Sequence, residues 1–206
     1  MARTKGGRHW MQEHLNDEYV IRAQKEGHRA RAIYKLMELD ERDRLIKPGH
    51  CIVDLGAAPG SWSEYAATKV GKKGKVFALD LLDITPIAGV DFIQGDFREE
   101  SVLNQLMKSI ESHPVDLVMS DMAPNISGMK AVDQPKSMYL CELSHELAKS
   151  VLKPGGDLLM KVFNGAGLDE FKKDLRKDFN KLIIRKPKAS RARSSENYLL
   201  ARGYNV

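Results

Sequence analysis

From Cys51 to Phe163 the chain alternates short apolar runs with stretches of helical apolar spacing, and that alternation leaves little room for any fold but an open α/β sheet. Strands are expected at Cys51–Leu55, Lys75–Asp80, Val90–Gln94, Val115–Ser120 and Asp157–Phe163. Helices are expected at Ala30–Leu45, Ser61–Val70, Ser101–Glu111, Pro135–Leu152 and Leu168–Phe179. Strands that alternate with helices lie mostly parallel. The tail breaks the pattern: Lys181–Arg185 and Asn197–Arg202 are separated by eleven residues containing Pro187 and several serines. That is too short for a helical crossover, so the last strand is expected to run antiparallel to its neighbour.

A chain of 206 residues suits one well-buried domain, taken here as residues 29–206. Residues 1–28 lack sustained apolar periodicity, contain Gly6-Gly7 and scattered arginines, and read as a basic, partly mobile arm. Cys51 and Cys141 have no partners at metal-ligand spacing, which points to a reduced protein with no metal site. Neither an h-region behind the basic start nor an apolar run of about 18 residues is present, so a cytoplasmic protein away from the membrane is expected.

The net charge of +5 is unevenly spread. Residues 1–35 hold eight Lys or Arg against four acids, and residues 172–193 hold ten against two, so the remainder is acidic. Positive charge gathered on an otherwise acidic protein suits a polyanion partner. Lys172, Lys173, Arg176 and Lys177 alone read as a solvated helix face. The segment Arg185-Lys-Pro-Lys-Ala-Ser-Arg-Ala-Arg193 reads instead as a loop on a phosphate backbone, through Arg185, Lys186, Lys188, Arg191 and Arg193.

The chemistry starts at Asp54-Leu-Gly-Ala-Ala-Pro-Gly-Ser-Trp62, a strand end whose glycine turn opens a helix and lets backbone N–H groups approach a ligand. It lacks the Gly-x-Gly-x-x-Gly spacing that a pyrophosphate requires. Asp80 ends the second strand, where a carboxylate meets ribose hydroxyls, and Asp96 follows the third, placed for the exocyclic amine of adenine. An adenosine without pyrophosphate fits best, and S-adenosyl-L-methionine is the common one. Asp121 and Lys161 end neighbouring strands, while Lys35 and Glu196 flank that core. A hydroxyl acceptor would have to lose its proton as it is methylated. Lys161 suits that task either as a base or as a cation that orients the hydroxyl.

These residues resemble a known family. Asp54-Leu-Gly-Ala-Ala-Pro-Gly-Ser-Trp62, Ser120-Asp-Met-Ala-Pro-Asn125, Pro154-Gly-Gly and the order Lys, Asp, Lys, Glu are similar to the FtsJ (RrmJ) family of ribosomal RNA 2′-O-methyltransferases, from about Lys25 to the C-terminus. The resemblance implies a Rossmann-like, class I S-adenosylmethionine-dependent fold with a seven-stranded sheet. It also implies methylation of a uridine ribose 2′-hydroxyl in the 23S rRNA A-loop, on the large ribosomal subunit, by a monomer. By motif, Gly60, Trp62, Asp80, Asp96 and Asp121 would contact the cofactor. Lys161 would accept the proton, helped by Lys35, Asp121 and Glu196. Ser61 stands where the family commonly has glycine, and a serine is acceptable at a helix start. Two other readings remain: the same chemistry on tRNA or another RNA, and a ribosome-assembly RNA-binding protein without catalysis.

Overall fold

The structure is a computed structural model and describes residues 17–191 and 193–205. Its elements in chain order are α1 (Glu18–Glu26), α2 (Ile33–Asp43), β1 (Cys51–Leu55), α3 (Ser61–Val70), β2 (Lys75–Asp80), β3 (Val90–Gln94), α4 (Glu100–Ile110), β4 (Val115–Ser120), α5 (Lys130–Val151), β5 (Leu152–Phe163), α6 (Leu168–Asp178), β6 (Phe179–Arg185) and β7 (Glu196–Tyr204). A 3₁₀ turn at Gly71–Lys73 links α3 to β2.

The seven strands form one sheet in the order β3-β2-β1-β4-β5-β7-β6. Strand β7 runs antiparallel to both of its neighbours, β5 and β6, and the other pairings are parallel. The short link read from the tail produces this antiparallel return. β1 is buried along its whole length, as a central strand covered on both faces must be. Alternate residues feed two cores. Leu55, Val118, Met160 and Leu199 pack on one side, and Ile52, Leu117, Leu159 and Leu200 on the other with Leu36 of α2 and Trp62 of α3. The outer helices are amphipathic, with Val102, Leu106 and Ile110 of α4 and Leu168, Phe171 and Leu175 of α6 turned inward at helical spacing.

The strand order reverses at β1, so a crevice opens between the carboxyl ends of β1 and β4, where open α/β sheets take their ligands. In register, Leu55 of β1 lies opposite Ser120 of β4, and Ser120 lies opposite Met160 of β5. The residues just beyond these positions therefore share one edge.

Three elements depart from expectation. Residues 18–26, read as part of the arm, form a helix. Asp17 caps it by accepting from the Tyr19 N–H at 3.0 Å, and Gly27 closes it at φ 76°. Its only buried residues are Val20 and Ala23, too few to register as periodicity. The rest of the expected arm lies outside the described residues. Helix α5 starts at Lys130, five residues before the Pro135 expected to begin it, because Asp133 gathers the N–H groups of Ser127 and Gly128 and turns the chain earlier. Strand β5 starts at Leu152 rather than Asp157, and its pairing with β4 shifts register between Val115 and Leu117 to admit the additional length.

Gly74 joins the 3₁₀ turn to β2, and a Cβ there would lie 2.3 Å from Val70 Cβ and 2.7 Å from the His50 carbonyl oxygen. That same carbonyl accepts the Lys75 N–H at 3.0 Å, where β1 and β2 begin to pair. Gly74→Ala is expected to destabilise the fold by about 1–3 kcal/mol, seen as a lower urea midpoint at unchanged slope. An unchanged midpoint would mean that this junction has slack.

Candidate active site

Lys161 lies near the end of β5, directly opposite Tyr198 of β7, and Glu196 lies opposite Phe163. Asp121 is the first residue beyond β4, and Lys35 is the third residue of α2. The four predicted residues converge. Lys161 Nζ donates to the Asp121 carbonyl oxygen at 2.6 Å and lies 2.8 Å from its Oδ1. On the other side, Glu196 Oε2 is 3.9 Å away. Glu196 Oε1 is 2.8 Å from Lys35 Nζ and accepts the Ser190 hydroxyl at 2.7 Å. The Lys161 side chain is only 8 % exposed.

Two ammonium groups thus alternate with two carboxylates, so the cluster is locally neutral although little water reaches it. Burial pushes the Asp121 carboxyl up, but Lys161 and Lys35 outweigh this and hold it below the ordinary aspartate range. Asp121 is therefore a carboxylate at neutral pH. Tyr198, fully buried, donates its hydroxyl to Asp121 Oδ1 at 2.5 Å. Burial first, then the Asp121 and Glu196 charges, raises this phenol well above its usual value, so it stays a donor that orients Asp121. Sequence reading passed over Tyr198, since an aromatic residue in the run Tyr-Leu-Leu-Ala reads as core. Its signal was parity, because it lies two residues after Glu196 on one strand face. Ser190 had no such signal.

Beside this cluster a cleft of about 710 Å³ opens, and Asp80, Asp96 and Asp121 all line it. Its floor is the glycine turn. Gly56 has φ 69°, and a Cβ would lie 2.3 Å from Met122 Cγ, so only glycine lets the chain after β4 pass this close. Asp80 ends β2 and accepts the Ala58 N–H on Oδ2 and the Leu82 N–H on Oδ1, each at 2.8 Å, which leaves each oxygen a further lone pair for a ligand. Asp96 is held by Arg98, whose Nε lies 2.9 and 2.8 Å from its two oxygens. Arg98 was not anticipated as its partner.

Gly60 and Trp62 are placed differently. Gly60 caps α3 with φ 99°, covered by the Ile87 and Arg29 side chains. The Trp62 indole is core: it is 2 % exposed, donates to the Ala32 carbonyl at 2.8 Å and packs 5.7 Å from the Tyr198 ring. Only its backbone, at the start of α3, is available to a ligand. In the basic loop, Arg185, Lys186 and Arg191 have partners within the chain. Arg185 forks Asp43 at 2.8 and 2.7 Å, and Lys186 donates to the carbonyls of Ser194 and Glu196. Arg191 lies 3.6 Å from Asp17. These groups brace the segment that carries Ser190 and Glu196. On α6, by contrast, Lys172, Lys173 and Lys177 pair with acids three residues earlier, in keeping with a solvated face.

The profile of the FtsJ-like methyltransferases matches residues 28–204. The chain belongs to that family. A protein of Chromobacterium violaceum named ribosomal RNA large subunit methyltransferase E is 57 % identical over 203 residues, covering 98 % of this chain and 99 % of that one. A Legionella pneumophila protein of the same name is 53 % identical over the full length of both. Among solved structures, a Plasmodium falciparum protein provisionally described as a ribosomal RNA methyltransferase superposes with a TM-score of 0.77 at 29 % identity, over 86 % of this chain and 98 % of that one. The seven-stranded sheet is thus a methyltransferase fold.

Asp54 lies beneath the glycine turn and accepts the Ser63 hydroxyl at 2.5 Å. Burial is the main cause that pushes its carboxyl up to about 7, and the charges of Asp121 and Asp80 add to it. The unfolded chain has the lower pKa. Asp54 therefore favours the folded state fully below about pH 4, progressively less as pH rises to about 7, and least above that. Replacing it with Asn removes this term. The stability of Asp54→Asn relative to the parent is expected to rise between pH 5 and pH 7, and parallel denaturation curves across that range would contradict it.

Proposed function

We propose that this protein uses S-adenosyl-L-methionine to methylate the ribose 2′-hydroxyl of a uridine in 23S rRNA, in the A-loop of the large ribosomal subunit, acting as a cytoplasmic monomer. The observation that carries this reading is the alternating cluster Lys35, Glu196, Lys161 and Asp121 at the lip of the Asp80–Asp96 cleft. The names of the relatives support the rRNA substrate.

The cleft suits the proposed cofactor. Its carboxylates match two sets of donors on an adenosine, Asp80 for the ribose hydroxyls and Asp96 for the exocyclic amine, with Leu81, Phe97, Met122 and Leu140 as apolar walls. The amine would share Asp96 with Arg98 or displace it. The Gly60 and Trp62 backbone lies at the adjacent helix start. S-adenosyl-L-methionine supplies a methyl group already activated by its sulfonium, so the protein's task is to present an oxygen nucleophile.

Lys161 does this. Its amine is anchored by two short contacts to Asp121, and the looser 3.9 Å contact to Glu196 leaves one direction for a hydroxyl. It serves either as the base that takes the hydroxyl proton or as a cation that orients the oxygen and steadies its growing negative charge. Lys35 and Ser190 fix Glu196, and Tyr198 fixes Asp121, so the amine is held before RNA arrives. Amino-group methylation would call for an Asn/Asp-Pro-Pro-Tyr/Phe element after β4, and Asp121-Met-Ala-Pro-Asn125 is not one.

Large subunits lacking the modification should accept a labelled methyl group. Methylation at the 2′-oxygen removes the nucleophile for alkaline cleavage, so the product RNA should resist hydrolysis after one nucleotide. Lys161→Ala should abolish that protection while it retains cofactor binding. Near-normal methylation by a folded Lys161→Ala protein, or a product cleaved fully by alkali, would overturn the assignment.

Asp80 also ties two backbone N–H groups, so Asn is a gentler substitution than Ala there. Loss of the charge should weaken S-adenosyl-L-methionine binding by roughly 1.5–3 kcal/mol. Calorimetry that finds parental affinity in a folded Asp80→Asn protein would remove Asp80 from the cofactor site.

A further inference from the structure

A second depression, a groove of about 1030 Å³, lies beside the cofactor cleft on the far side of the loop that follows β4. Ile126 and Met138 give it apolar surface, and Tyr139 borders both the groove and the cleft. Its walls continue three catalytic segments. Ile126 and Gly128 lie five and seven residues past Asp121, Phe163 and Asn164 two and three past Lys161, and Ser194 and Ser195 immediately before Glu196. A polymer that presents one residue to Lys161 must run its neighbours past one or other of these segments.

The loop displays apolar side chains to solvent. Ile126 is 62 % exposed and Met129 61 %. This is not the result of a slack chain, because Asp133 accepts from the Ser127 N–H at 2.9 Å, the Ser127 hydroxyl at 2.7 Å and the Gly128 N–H at 3.0 Å. The Met129 N–H in turn donates to the Ser127 oxygen at 3.2 Å. An apolar tip held outward by four hydrogen bonds is built to meet something. Lys130, exposed at the groove edge, adds a positive charge to that tip.

We propose that this groove holds unpaired nucleotides adjacent to the methylated one, with a base lying on Ile126 and Tyr139 at the groove's edge, flanked by the exposed Met129, and a phosphate near Lys130. The inference rests on the RNA reading above and adds the subsite that positions the strand. Single-stranded RNA is the occupant the surface favours, since flat apolar patches beside a cation accept base faces without regard to sequence. The groove also meets the Asp80–Asp96 cleft at Tyr139, next to the place where the ribose must sit. Its role is in binding, since neither Lys161 nor its ionic partners line the groove.

The test uses the full-length protein with large subunits lacking the modification. Ile126→Ser/Met129→Ser removes the apolar tip and leaves the Asp133 bonds in place. KM for the subunit should rise by about tenfold, in the range of one lost stacking contact, while kcat, thermal melting and calorimetric S-adenosyl-L-methionine affinity stay at parental values. Ultraviolet crosslinking of the parental protein on the subunit should yield RNA adducts on the peptide that spans residues 126–142. A parental KM in the double variant would overturn the groove assignment while leaving the methyltransferase reading intact. If the parental protein transfers no methyl group to the subunit, it is the underlying function that fails. A raised KM with adducts to ribosomal protein and none to RNA would overturn it too, in favour of a protein contact.

Discussion

The two carboxylates that confine Lys161 are what the rest of the site is arranged around. An ammonium group with an 8 % exposed side chain is costly to hold without compensation, and Asp121 and Glu196 supply it from strands on either side. Each carboxylate is then secured in turn. Glu196 is held by Lys35 and Ser190, and Asp121 by Tyr198. Removing one charge would leave an odd number in a confined space, so the four ionic groups act as a unit rather than as separate pairs.

That unit depends on the antiparallel return of β7. By lying between β5 and β6, β7 brings Glu196 and Tyr198 to the carboxyl end of β5, whereas a parallel strand in that position would present its other end. The basic segment before β7 serves the same purpose. Arg185 on Asp43, Lys186 on two carbonyls and the buried Pro187, Ala189 and Ser190 fasten the connection that delivers Glu196. Positive charge that looked like an RNA contact is thus partly structural cement.

Floor and walls of the Asp80–Asp96 cleft follow a related logic. Gly56 lets Met122 approach, Asp80 ties Ala58 and Leu82 while keeping lone pairs free, and Asp54 supports the turn from below. Each polar group is bonded to the scaffold first, which holds it in place before a ligand arrives. Arg98 on Asp96 is a partner that a ligand at that carboxylate would share or displace.

By itself the sequence determined the sheet, most element boundaries, the antiparallel tail and the strand-end positions of Asp121 and Lys161, because strand periodicity, glycine turns and charged residues at strand ends are local signals, whereas Lys35 and Glu196 joined them through the family resemblance. Tertiary structure alone decided the rest. Tyr198 and Ser190 became part of the site only through the β5–β7 pairing and the folding back of the 186–195 loop. Trp62 turned its ring into the core because the Ala32 carbonyl and Tyr198 await it there, and Arg185 turned to Asp43, 142 residues away. A residue's type and neighbours in the chain say what it can bond. Which partner it meets depends on how distant segments pack, and no local pattern encodes that.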